Sequence, residues 1–203
     1  MYKIFINDCV LIITERSNVQ HNNQLTINEE EVESLIRKIF LDIESLSNEQ
    51  YYLFTDYPKD VLLALQKKFK FIKAAGGIVV NKENKYLVIK RNKKWDFPKG
   101  KLEKNETMRI AAKREVMEET GAKDLTVLEK AISTYHVYII KKHIYLKKTN
   151  WYHMICLSDQ KLVPQTEEGI AKAKWVSIDF MREKNVKTYQ SIKEIVDFLP
   201  YSI

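Results

Sequence analysis

The stretch that most restricts this chain is Arg114-Glu115-Val116-Met117-Glu118-Glu119-Thr120-Gly121. Residues 107–120 read as a helix, with Gly121 as a left-handed cap. On a helical wheel of about 100° per residue, Glu115, Glu118 and Glu119 share one arc. Ala111 lies in that arc one turn earlier and Ala112 just beyond its edge, so another backbone can come close. Carboxylates three and four residues apart repel, and the C-terminal end of a helix is already its negative pole. Each effect costs from a few tenths to about 1 kcal/mol. A divalent cation would turn the repulsion into coordination. An all-oxygen ligand set without His or Cys suits Mg2+ or Mn2+ rather than Zn2+. A solvated acidic face is the competing reading, and these three residues alone do not decide between them.

The rest of the chain reads as alternating strands and helices. Residues 2–7 and 9–14 are aromatic and β-branched around an Asn7-Asp8 turn, which predicts a hairpin. Residues 17–24 are polar and loop-like. Val32, Leu35, Ile36, Ile39, Phe40 and Ile43 recur at helical spacing, which predicts a helix over 29–43. A strand is expected at 51–55 and a helix at 58–69, begun by Pro58. Strands at 72–81 and 85–91 follow, then a loop over 92–106 and the acidic helix. Later strands are expected at 125–140, 143–148, 150–158 and 173–178, with a closing amphipathic helix at 188–199. Pattern alone divides the chain into a small α/β unit, 1–70, and a second unit, 71–203.

The spacing around the acidic helix is specific. Gly100 is followed by five residues and Glu106; seven more lead to Arg114-Glu115, then Glu118-Glu119 and Gly121. This resembles the Nudix box, G-x5-E-x7-R-E-U-x-E-E-x-G-U, with Ala122 smaller than the usual final aliphatic. The resemblance implies an α/β fold, the Nudix α/β/α sandwich, over about 71–200, with residues 1–70 as an accessory domain. It implies a hydrolase in which Glu115, Glu118 and Glu119 hold Mg2+, or Mn2+, with the backbone carbonyl of Gly100. Arg114 and Glu106 would orient these acids. The implied reaction is attack of water on phosphorus in a nucleoside diphosphate linked to another moiety. The base is a box glutamate or an acid on a later loop, where Glu167 and Glu168 stand.

The lead-in Trp95-Asp96-Phe97-Pro98-Lys99-Gly100 is similar to that of family members acting on dinucleoside polyphosphates and diphosphoinositol phosphates. On that likeness Lys99 would face phosphate oxygens, and Trp95 would position the loop or stack on a base. Tyr138 stands at an offset similar to that in dinucleoside polyphosphate hydrolases. Arg91, with Lys90, Lys93 and Lys94, adds charge near the site. The net charge of +7 favours an anionic partner, although a solvated lysine surface would give the same value. A nucleotide or polyphosphate is the expected substrate; nucleic acid and membrane are not expected partners. Cys9 and Cys156 share no metal-type spacing and read as reduced thiols, and the start of the chain lacks a signal-peptide layout. A cytoplasmic enzyme is therefore expected. The alternative is a nucleotide-sensing module without turnover, which the intact box disfavours. For residues 1–70, forming a homodimer, covering the cleft and selecting substrate all stay open.

Overall fold

The computed structural model describes residues 1–18, 25–42, 48–158 and 160–200. In chain order its elements begin with strands β1 (Tyr2–Ile6), β2 (Cys9–Thr14) and β3 (Leu25–Thr26) and helix α1 (Val32–Leu41). Strand β4 (Gln50–Phe54), helix α2 (Pro58–Lys68) and strands β5 (Lys70–Asn81), β6 (Tyr86–Arg91), β7 (Lys94–Asp96) and β8 (Lys99–Lys101) follow. Then come α3 (Met108–Thr120), β9 (Leu125–Ile140), β10 (His143–Cys156), β11 (Ile170–Val176), α4 (Ile178–Arg182) and α5 (Gln190–Phe198). The mixed sheets and flanking helices make this an α/β fold.

Two compact units result: Met1–Ile72 with Thr134–Lys148, and Lys73–Ser133 with Thr149–Ile203. In the first, β1 and β2 pair antiparallel through the expected hairpin, whose Asn7 takes φ 54. Strand β4 adds parallel to β2, and β1 adds parallel to β9 through Ile4↔Tyr135 and Ile6↔Val137. One face of these strands, with Ile4, Ile6, Leu11 and Ile13, packs on Ile36 and Ile39 of α1 and Leu62 and Leu65 of α2. Pattern alone placed one boundary at residue 70. The first core also takes Tyr135, Val137, Ile144 and Leu146, so 134–148 groups with the N-terminal residues. That parallel pairing joins segments some 130 residues apart, and no local pattern encodes it. Helix α1 starts later than the periodicity suggested. The Asn28 side chain accepts the Glu31 N–H at 3.2 Å, and the Glu31 carboxylate accepts the Asn28 N–H at 2.8 Å, holding a turn ahead of Val32. Ile43 and most of the expected 17–24 loop lie outside the described residues.

In the second unit the strand order is β11-β6-β5-β10-β9, with β7 on β6 and β8 on β5. Helices cover both faces. Ala75, Val79, Leu87 and Met154 meet Ala111, Ala112 and Val116 of α3 on one side. Ile78, Val88, Phe97 and Trp151 meet Ile178, Ile192, Ile195 and Val196 of α4 and α5 on the other. A Cβ on Gly77 would lie 2.6 Å from Val116 Cγ2, so α3 sits directly on β5. Two strands expected at 143–148 and 150–158 are one, β10: buried Thr149 continues it, and Asn150 accepts a hydrogen bond from the Ser133 hydroxyl at 2.8 Å. The expected loop 92–106 contains β7 and β8, which are too short to show a period.

Candidate active site

Helix α3 starts at Thr107, whose hydroxyl accepts the Ile110 N–H at 3.3 Å, and stops at Gly121, φ 70. The segment after β10 covers its end: Val163 and Gln165 donate their N–H groups to the carbonyls of Thr120 and Glu119 at 2.8 and 3.2 Å. Carbonyls that a helix leaves orphaned are thereby satisfied. The same segment delivers the turn Thr166–Glu168, and Glu168 comes near enough to Glu115 to disfavour its ionised form.

The three box carboxylates have different surroundings. Glu119 is 1% exposed and accepts the Lys99 N–H at 2.8 Å. Burial, reinforced by Asp96 and Glu115 and opposed by Lys99, raises its pKa to about 7. Glu115 is 7% exposed; burial pushes its pKa up against the pull of Arg114. Glu118 stands near solvent. Arg114 organises the group. Its Nε and Nη2 grip Glu106 at 2.9 and 3.0 Å, its Nη1 reaches Glu115 at 2.9 Å and Glu118 at 2.8 Å, and its Nη2 also meets the Lys101 carbonyl at 3.0 Å. This guanidinium holds the Glu106 carboxyl below its ordinary range.

Strand β8 brings Gly100 alongside. A Cβ there would collide with the Glu115 carboxylate, so only glycine leaves room for the acid. Lys99 turns its ammonium onto the buried carboxylate of Asp96 and lies 5.7 Å from the Trp151 ring. The sequence reading passed over Asp96, whose chemistry shows only once β7 brings it beside Lys99. Arg91, at the end of β6, is 3.6 Å from Glu168.

Two further expected substrate residues have partners of their own. Trp95 is buried in the core with α4 and α5, edge-on to Phe180 at 5.5 Å, because it faces away from its neighbour Asp96 on the strand. Its backbone N–H donates to the Lys187 carbonyl at 2.8 Å. Tyr138 belongs to the first unit and stacks on Tyr145 at 5.3 Å. Glu115, Glu118, Glu119, Gly100, Lys99, Arg91 and Glu168 all belong to the second unit.

Comparison with known proteins agrees with this architecture. Residues 70–196 match the family model of the NUDIX domain. The chain belongs to the Nudix family. It is similar to the 8-oxo-dGTP diphosphatase of Buchnera aphidicola, 34% identical over 107 residues, covering 45% of this chain and 82% of that protein. It is also similar to the m7GpppN-mRNA hydrolase dcap-2 of Caenorhabditis elegans, 31% identical over 128 residues, covering 59% of this chain but only 15% of that protein. The solved Ap4A hydrolase of C. elegans shares the fold, at 19% identity and TM-score 0.50, over 62% of this chain and 93% of that one. This Nudix protein is a hydrolase acting on phosphoanhydride bonds.

Nudix hydrolases generally use divalent metal ions. The donor chemistry here suits such an ion: hard carboxylate oxygens, two of them buried, with Glu115 packed against Gly100 and Glu119 on the Lys99 N–H. The carboxylates are not converged on a common point. Among the described residues no three acidic, His or Cys side chains are gathered closely enough to hold a metal. Glu115 and Glu118 instead share Arg114, and Glu119 faces the Lys99 N–H.

Proposed function

We propose that this Nudix hydrolase is a Mg2+-dependent pyrophosphohydrolase of nucleoside polyphosphates, with dinucleoside polyphosphates as the first candidates. The observation that carries the reading is the pair of buried carboxylates, Glu115 and Glu119, closed against Gly100 and β8, with Glu118 near solvent on the same helix. Glu115, Glu118, Glu119 and the Gly100 carbonyl would hold the ion. Bound there, it would neutralise phosphate charge and lower the pKa of an attacking water.

The chain's own residues do the rest. Arg114 fixes the rotamers of Glu115 and Glu118 while Glu106 holds Arg114. Glu168 is taken as the base: it lies on the loop strapped to the end of α3, with Arg91 at 3.6 Å. Lys99 offers its ammonium to phosphate oxygens. A second reading follows from the Buchnera relative: cleavage of an oxidised deoxynucleoside triphosphate. Against it stands the lead-in Pro98-Lys99-Gly100, where enzymes of that type more often carry Pro-Gly-Gly. The burial of Cys9 and Cys156 suits the cytoplasm, and among the described residues no helix is long and apolar enough to cross a membrane.

Product analysis tests the reading. Diadenosine polyphosphates, 8-oxo-dGTP, ADP-ribose and a diphosphoinositol phosphate would each be incubated with enzyme and Mg2+. Preferred cleavage of a diadenosine polyphosphate supports the proposal, whereas preference for 8-oxo-dGTP selects the second reading.

A further inference from the structure

Asp96 is a buried carboxylate, 5% exposed, that the chemistry above does not use. One of its oxygens, Oδ2, holds the Lys99 ammonium. The other, Oδ1, is buried and has no hydrogen-bond partner among the described residues. A buried acceptor without a donor is costly, so this carboxylate is poorly explained as a stabiliser of the fold.

The surroundings of Lys99 are built for the contact. Gly76 pairs with Lys99 across β5 and β8, and a Cβ on Gly76 would lie 2.6 Å from both Lys99 Cβ and Trp151. The absent side chain makes the channel along which the lysine runs. The backbone of Lys99 is fixed by Glu119, its stem by Gly76 and Trp151, and its ammonium by Asp96. An ammonium has three donors. Asp96 uses one, and the lysine side chain remains 22% exposed, so other donors are open to an incoming anion.

We infer that Asp96 is a positioning residue: it aims the Lys99 ammonium at a phosphate group of the substrate. The inference rests on the proposed reading of this site as a nucleoside polyphosphate hydrolase. Asp96 touches no reacting atom; it acts through Lys99. A lysine released from Asp96 would spread over several rotamers, and the ordering cost would then fall on substrate binding.

The test uses the full chain and four proteins: wild type, Asp96→Asn, Lys99→Met, and the two substitutions combined. Inorganic tripolyphosphate is the probe, titrated by calorimetry with Mg2+ present. Binding should weaken about tenfold in Asp96→Asn and about tenfold in Lys99→Met. The combined variant should bind no more weakly than Lys99→Met alone, because the two residues act as a unit. In turnover of the substrate found above, Asp96→Asn should raise KM by a similar factor and leave kcat within about twofold. Wild-type affinity in Asp96→Asn would overturn the inference. So would independent losses that multiply in the combined variant, or a wild type that does not bind tripolyphosphate. Wild type that binds tripolyphosphate with the expected coupling but hydrolyses no nucleotide would refute the hydrolase substrate reading and leave the role of Asp96 standing.

Discussion

Arg114 binds Glu106 in a fork, Nε on Oε1 at 2.9 Å and Nη2 on Oε2 at 3.0 Å, from a position eight residues later on α3. The fork ties the loop after β8 to the helix, and Arg114 then has Nη1 left for Glu115 and Glu118. The crowding of like charges near the end of α3 is therefore relieved in part by one guanidinium.

Glu106→Gln should loosen that arrangement. A fork between a mostly buried arginine and carboxylate is worth more than an exposed ion pair, and its loss should cost about 2 kcal/mol. The melting temperature should fall by about 4–8 °C for a chain of this size. Differential scanning calorimetry checks this, and Arg114→Lys should not escape the loss, because lysine lacks the fork.

Glu118→Gln should fold normally. The side chain is about half exposed and is held by Arg114, so the melting temperature should stay within about 2 °C of wild type. Activity should fall by about 100-fold or more, since the substitution removes a proposed ligand charge. Circular dichroism melts and steady-state kinetics on the same preparation separate the two effects.

Glu119 gives a pH signature in chelator-treated protein. Its folded pKa, about 7, lies above the ordinary carboxylate value of 4.5. Between those values the folded state holds more protons than the unfolded state, so stability falls as pH rises through the window and levels off above it. The loss should be about 3 kcal/mol by pH 7.5. Glu119→Gln should flatten this part of the profile, and added Mg2+ should recover stability in wild type at pH 7.5. Chemical denaturation at several pH values, with and without chelator, reads all three.

Glu168→Gln should lower kcat by about 100-fold to 10000-fold, read by steady-state kinetics with Mg2+. Arg91→Ala should act in the same direction with a smaller effect, because Arg91 only supports the charge of Glu168 at 3.6 Å. A Glu168→Gln enzyme with near-normal kcat would move the base to a box glutamate.

Much of this was readable in the chain because it is local. The α3 cap at Gly121, the β1–β2 hairpin at Asn7 and the helix begun by Pro58 depend on neighbouring residues, and each stands where the pattern predicted. The fixed spacing from Gly100 to Gly121 named the family before any fold was known. What was hidden depends on pairing at a distance. Nothing near Tyr135 announces that it meets Ile4, and nothing near Asp96 announces that its neighbour on the next short strand is Lys99. Trp95 was read as a ligand contact from its motif, but strand alternation turns it into the core whenever Asp96 faces the site. The Lys99 ammonium, expected to face phosphate oxygens, has a carboxylate already in place.

The measurement that tests the central claim most directly is hydrolysis of diadenosine tetraphosphate by wild type and Glu118→Gln, each with Mg2+ and with chelator, with products separated by ion exchange. The account predicts cleavage to two nucleotides by wild type with Mg2+ alone. Near-normal turnover by Glu118→Gln, or turnover by wild type that survives the chelator, would contradict the assignment of the α3 carboxylates as the metal-holding site.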